Sequence, residues 1–237
     1  MPIGSEEGPE HVLIGPDGKL YAAVASGAII RMNPDGSGLE TLVNTGGRVL
    51  GFDFDARGRL IAADAMRGLL AIGADGSVEV PADKVGDDPI RYADAVVIAK
   101  NGKIYFTDAS RRFGPKDWGG TFNASVLDIL EHSATGRVLE FDPATHATRT
   151  VMRDLCFANG LALSADEMSL FVAETGEYRV WKIDLAATDV SAKVAVAGTA
   201  QARVVLANLP GDPDNLMRGM DGRIWLGFTK PRGAAVN

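Results

Sequence analysis

A single cysteine, three histidines and the lack of any apolar run long enough to span a bilayer set the first limits on this 237-residue chain. With Cys156 alone there is no intrachain disulfide and no thiolate metal cluster. The 24 Lys and Arg residues are dispersed, the densest pair being Arg111-Arg112. A nucleic-acid partner needs a basic stripe to displace counterions, and none is present. The start, Met1-Pro-Ile-Gly-Ser-Glu-Glu, has no basic region followed by an apolar stretch and so is not a secretory signal. Together these features read as a cytoplasmic protein without a membrane segment of its own, leaving open an anchor upstream of Met1. Neither a Gly-x-Ser-x-Gly nucleophile elbow nor a phosphate-cradling glycine loop is found.

What is present is an ordinary globular composition, 46% apolar and 23% charged, with a net charge of −7. An acidic balance is compatible with a cation site, although solubility alone accounts for it. The stronger signal is a repeat. An alternating apolar strand, a short Asp/Gly turn, a basic residue and a second apolar strand recur at His11–Val24, Phe52–Asp64 and Ala95–Asp108. A looser copy lies at Gly160–Glu174 and a last one at Asn215–Phe228. The first aliphatic residues of the second strands are Leu20, Leu60, Ile104, Leu170 and Ile224, spaced by 40, 44, 66 and 54 residues. Two further strand-like runs follow each early pair. Four short strands per unit predict an all-β propeller built of four-stranded blades, here about four and a half of them. The whole chain, 1–237, then forms one domain, C-terminally incomplete, with an open ring after the second strand of the fifth unit. Residues 111–135 interrupt the third blade and predict a short helix near Ser125–His132. Residues 186–202 read as a small-residue-rich loop.

The repeat also supplies a functional register. Ten residues before Leu20, Ile104 and Ile224 stand Glu10, Asp94 and Asp214, and eleven before Leu170 stands Asn159. The second unit has Leu50 there. If the first strands are innermost, equivalent positions face one channel. Three carboxylates and one amide oxygen then converge, with no basic residue at those strand starts to neutralise them. Crowded carboxylates invite protonation or a cation. An all-oxygen donor set suits Ca²⁺ best, with another divalent cation as the variant. The alternative is that Asp and Asn open strands as turn formers. Asp64, Asp108 and Glu174, four residues after the reference aliphatic, serve as a control; they are expected at the far end of the strand as turn and capping residues.

Several segments carry a family likeness: Tyr105-Phe-Thr-Asp-Ala-Ser110, Leu127–Glu131 leading to Thr135–Pro143, Phe157-Ala-Asn-Gly-Leu-Ala-Leu-Ser164 and Leu209–Leu216. The chain resembles strictosidine synthase-like proteins and, more widely, the superfamily of SMP-30, gluconolactonase and regucalcin, from about Glu10 onward. The resemblance implies a six-bladed β-propeller holding Ca²⁺ in its channel, where the metal activates a carbonyl or phosphoryl group. It implies metal ligation by Glu10, Asn159 and Asp214, with Asn215 reaching the metal in some members. Asp94 stands where the family usually has Asn. Leu50 stands where paraoxonase-like members have a catalytic His, so a His-based mechanism is not supported. Plant strictosidine synthases use a C-terminal acid in a region absent here and lack the metal set, whereas Glu10 is present.

The resulting expectation is a metal-dependent hydrolase of a small ester or lactone. Asp94 or Asp214 would help activate water, and a small molecule would be the partner. The alternative from another class is amine–aldehyde condensation or a non-catalytic binding propeller. Phe113, Trp118 and Phe122 are candidates to roof the substrate pocket or to pack the insertion onto the ring. His11 is a weaker pocket candidate, since strand alternation points it away from Glu10. His132 and His146 read as surface residues, and Cys156 as a core side chain without a partner His. The oligomeric state is left open.

Overall fold

In the computed structural model, which describes residues 6–233, short apolar strands separated by Asp/Gly turns pair only with near neighbours in sequence. The first sheet is a meander of β1 (His11–Ile14), β2 (Leu20–Ala23), β3 (Ala28–Met32) and β4 (Glu40–Asn44). The second is β5 (Val49–Phe54), β6 (Leu60–Asp64), β7 (Gly68–Ile72) and β8 (Val78–Ala82). A small hairpin, β9 (Lys84–Val85) and β10 (Asp88–Pro89), precedes the third sheet. That sheet runs β11 (Ala93–Ile98), β12 (Ile104–Asp108), β13 (Gly136–Asp142) and β14 (Ala147–Leu155). The fourth contains β15 (Ala158–Leu163), β16 (Ser169–Glu174), β17 (Arg179–Asp184) and β19 (Ala202–Leu206). The last is a hairpin of β20 (Gly211–Arg218) and β21 (Ile224–Pro231). These are the successive sheets of a β-propeller.

Two connections differ from the sequence expectation. The helix in the third unit, α1 (Thr121–Glu131), begins four residues before Ser125, at the flexible pair Gly119-Gly120, both with positive φ. Residues 186–202 are not a plain loop. They contain β18 (Val190–Ser191), which adds to β14 in parallel as a fifth strand, and the short α2 (Ala192–Ala195). Small side chains there allow close packing: Ala187, Ala192 and Ala195 are buried in the cluster that holds Trp181 and Leu155.

The core lies between sheets, with Phe52, Phe106, Tyr105 and Trp181 each at most 2% exposed. Two glycines let the innermost strands approach. A Cβ on Gly51 would lie 2.8 Å from the Asp94 carbonyl oxygen. A Cβ on Gly160 would lie 2.4 Å from both the Asp214 carbonyl oxygen and the Leu216 nitrogen. Each glycine follows a register residue, Leu50 or Asn159, so the neighbouring strand carrying the next register residue can press against it. Among the described residues no helix is long and apolar enough to cross a membrane.

Candidate functional site

All five register positions, Glu10, Leu50, Asp94, Asn159 and Asp214, line one cavity of about 430 Å³. A local irregularity explains how they turn inward. Pairing of the innermost strands slips at Val49/Gly51, Ala93/Val96, Ala158/Leu161 and Pro213/Leu216. Leu50, Asp94, Asn159 and Asp214 sit within these β-bulges, which release a residue from the ladder and re-aim its side chain.

The polar wall is short of hydrogen-bond donors. Asn159 Nδ2 donates to Thr175 Oγ1 at 3.3 Å, while Asn159 Oδ1 is buried with no partner. Thr175 Oγ1 in turn donates to the Pro213 carbonyl at 2.7 Å, tying the strand that carries Asp214. Burial pushes the Asp94 carboxyl well above the usual carboxylate range, the charges of Asp214 and Glu10 push it further, and Arg48 opposes them. Burial, then the Glu10 charge, raises Asp214 to about 6, against a lowering hydrogen bond from Asn159. Desolvation is thus the larger cause and mutual repulsion the smaller.

The expectation of no neutralising base is corrected by Arg48, just before β5. Its Nη2 lies 3.6 Å from Glu10 Oε2 and donates to the Gly8 carbonyl at 3.0 Å. Nor are the carboxylates drawn into a closed cage: among the described residues no three His, Cys, Asp or Glu side chains are gathered closely enough to grip an ion by themselves. The orphaned amide oxygen weighs the other way. A buried acceptor without a donor is costly, and beside two carboxyls held up in pKa it fits a hard cation that would draw these oxygens inward.

The remaining candidates divide. Phe122 lines the cavity. Phe113 is buried and packs edge-on against Trp118 at 5.0 Å, so these two seat the insertion rather than roof the site. His11 and Asn215 line a second cavity of about 240 Å³ along the innermost strands and do not reach the first. Burial lowers the His11 imidazole to about 4, and its ring stacks edge-on to Phe52 at 4.8 Å. Cys156 does have a histidine neighbour, His132 Nδ1 at 3.8 Å, but burial raises its thiol to about 12, which keeps it inert.

The control residues are not at the far end. Because each second strand returns antiparallel, Asp64 faces Val49, Asp108 faces Ala93 and Glu174 faces Ala158, beside the site. All three are buried and fully engaged. Asp64 accepts from Thr45 Oγ1 and from the backbone of Arg48 and Met66. Asp108 accepts from Arg91 N, Tyr92 N and Arg137 Nε. Glu174 accepts from Cys156 N, Arg179 Nε and Trp181 Nε1. Each clamps the backbone leading into the innermost strand of its own sheet.

Sequence reasoning missed several cavity residues. Tyr92 is buried, its hydroxyl donates to the Thr121 carbonyl at 2.8 Å, and it pins the start of α1 over the site. Asp212, paired with Lys230 Nζ at 3.3 Å, also lines the wall. Only Thr175 had a usable signal, standing one residue beyond the clamp position of Glu174.

Comparisons with known proteins agree with this architecture. The strictosidine synthase family pattern matches residues 94–187, and the strictosidine synthase-like N-terminal pattern matches residues 1–32. The strictosidine synthase-like 4 protein of Arabidopsis thaliana is 35% identical over 94% of this chain and 57% of its own length. The chain therefore spans little more than half the length of that relative. Among solved structures, a gluconolactonase from Xanthomonas campestris superposes with a TM-score of 0.75 at 20% identity, over 95% of this chain and 72% of that one. A luciferin-regenerating enzyme gives 0.64 at 17% identity, over 93% and 68%. At such identities the likeness concerns the fold. The matched patterns and the relative together identify the chain as a member of the strictosidine synthase-like family, with the fold of a β-propeller.

Proposed function

We propose that the chain carries the cation-binding site of a metal-dependent hydrolase acting on small esters or lactones. The observation that carries this reading is the buried, donorless Asn159 Oδ1 set among register carboxylates in one cavity. Glu10, Asp94, Asn159 and Asp214 would hold Ca²⁺ or a similar hard cation, with Glu10 turning from Arg48. Bound there, the ion would supply Lewis-acid polarisation of a carbonyl. Asp94 or Asp214 would take a proton from an attacking water. Tyr92 ties the start of α1 beside the cavity.

One feature favours a second reading, in which the cavity binds or condenses a small molecule without metal: Arg48 already lies beside Glu10. Calcium titration separates the two. Calorimetry and thermal melting should show one Ca²⁺ site that stabilises the parent chain and is lost in Asp214→Ala, whose fold persists by circular dichroism. Ester or lactone turnover should vanish with chelator. Turnover that survives chelation, or the lack of calcium binding in the parent, would leave the metal-free reading.

A further inference from the structure

The cavity has two unlike walls, and the second one bears on what it binds. Beside the acidic residues stand Leu50, the register position between Glu10 and Asp94, and Phe157, both buried, together with the flank of α1 formed by Phe122, Val126, Ile129 and Leu130. Their spacing, i, i+4, i+7 and i+8, places them along one side of the helix. The next strip, Ala124, Leu127 and Asp128, seats α1 on the ring, with Ala124 and Leu127 in one cluster with Leu50, Tyr92 and Phe157. Ile129 of the cavity flank packs into that same cluster, whereas Phe122, Val126 and Leu130 lie outside it and are not what holds the helix down. Phe122 and Leu130 remain 77% and 76% exposed, an arrangement that costs solvation unless something apolar covers them.

Resting on the hydrolase reading above, we propose the substrate class: a neutral ester or lactone with a hydrocarbon substituent laid along α1, not a polyhydroxylated lactone. The carbonyl end would lie at the Asp94–Asn159–Asp214 wall and the alkyl or aryl end against Leu50, Phe157 and the helix. A sugar lactone would bring several hydroxyls against Leu50, Phe157 and a helix flank where Thr121 and Ser125 alone carry hydroxyls, and each hydroxyl left desolvated would count against it. A volume of about 430 Å³ accommodates a ring with a medium-length chain.

The test compares γ-butyrolactone, γ-hexalactone, γ-nonalactone and glucono-1,5-lactone in calcium, using the parent chain and the double variant Phe122→Ser, Leu130→Ser. Because both side chains are mostly exposed, the variant should keep its fold. In the parent, kcat/KM should climb by up to roughly fourfold per methylene, the gain from burying each one. Gluconolactone should lag well behind, and the variant should lose most of the chain-length slope. Gluconolactone turned over as well as the nonalactone would overturn the proposal while leaving a hydrolase. So would a slope that survives in the variant. If no ester or lactone is hydrolysed at all, the hydrolase reading itself fails. Calorimetric binding of alkyl γ-lactams of matching length then decides: affinity rising with chain length only in the parent supports the apolar wall, and flat affinity sinks it.

Discussion

Two rings of acidic residues lie side by side in this propeller and meet opposite fates. Glu10, Asp94 and Asp214, with Asn159, open the innermost strands and line the cavity; Asp64, Asp108 and Glu174 close the second strands. The second ring is the more deeply buried, at 0%, 0% and 1% exposure, yet each member accepts three hydrogen bonds from backbone and side-chain donors. In the first ring Asn159 Oδ1 has no donor at all. Asp108 and Asp94 show the contrast within one sheet. Burial pushes both carboxyls up, but Arg137 and the donors of its lead-in strand restrain Asp108, whereas the charges of Asp214 and Glu10 add to the rise at Asp94. Depth of burial does not distinguish the two rings. The supply of donors does.

The sharpest way to break the comparison is to empty one clamp. Glu174→Ala would strand Arg179 Nε, Trp181 Nε1 and Cys156 N around a hole, with Trp181 fully buried. Loss of a buried acid from its charged partner costs about 3–5 kcal/mol. Urea unfolding should show a drop of that order, whereas Asp94→Asn should leave stability equal or higher without metal. Equal losses in the two variants would erase the distinction between the rings.

A smaller effect reads the same contrast through pH. Asp214 is raised to about 6 in the folded chain from a usual value of 3.8. The folded state therefore holds this proton more tightly, so the group favours folding most fully below about pH 4 and loses that contribution as pH rises through 6. Partial exposure to water reduces the effect, leaving on the order of 1–2 kcal/mol of relative penalty at pH 7. In metal-free buffer, Asp214→Asn should be the more stable protein at pH 7 and lose that advantage by pH 4. Melting curves that keep the same gap at both pH values would show that Asp214 is already satisfied.

Much of this was legible before any coordinates. The turn-punctuated apolar strands gave the all-β reading, and the five positions counted back from Leu20, Leu60, Ile104, Leu170 and Ile224 are all among the residues that line the cavity. What the count could not see was geometry across the ladder. It placed Asp64, Asp108 and Glu174 at the far end because it followed the chain outward and did not fold the second strand back. Simple alternation served for His11, whose strand pairs without a slip, but it passed over the bulges of the other innermost strands, which leave little trace in residue type. Arg48 belongs to a loop outside the repeat unit, so no register pointed to it. The insertion aromatics Phe113, Trp118 and Phe122 are alike in sequence. Only the packing of α1 separates the buried anchor from the one at the cavity rim.

The finest test moves one hydroxyl. Thr175 Oγ1 bonds the Pro213 carbonyl and receives Asn159 Nδ2, and so holds the amide with its Oδ1 toward the cavity. Thr175→Val keeps the shape and removes both bonds, so Asn159 becomes free to rotate and the Pro213 carbonyl loses its donor. The stability cost should be about 1 kcal/mol, since an unmade buried hydrogen bond is only partly replaced. Calcium affinity measured by calorimetry should fall severalfold, because the oxygen is no longer pre-aimed. Thr175→Ser retains the hydroxyl and should recover the affinity even if its lost methyl leaves a small packing defect. A valine variant that binds calcium as well as the parent would show that Asn159 Oδ1 is aimed by its own bulge, with Thr175 acting only as a strand tie.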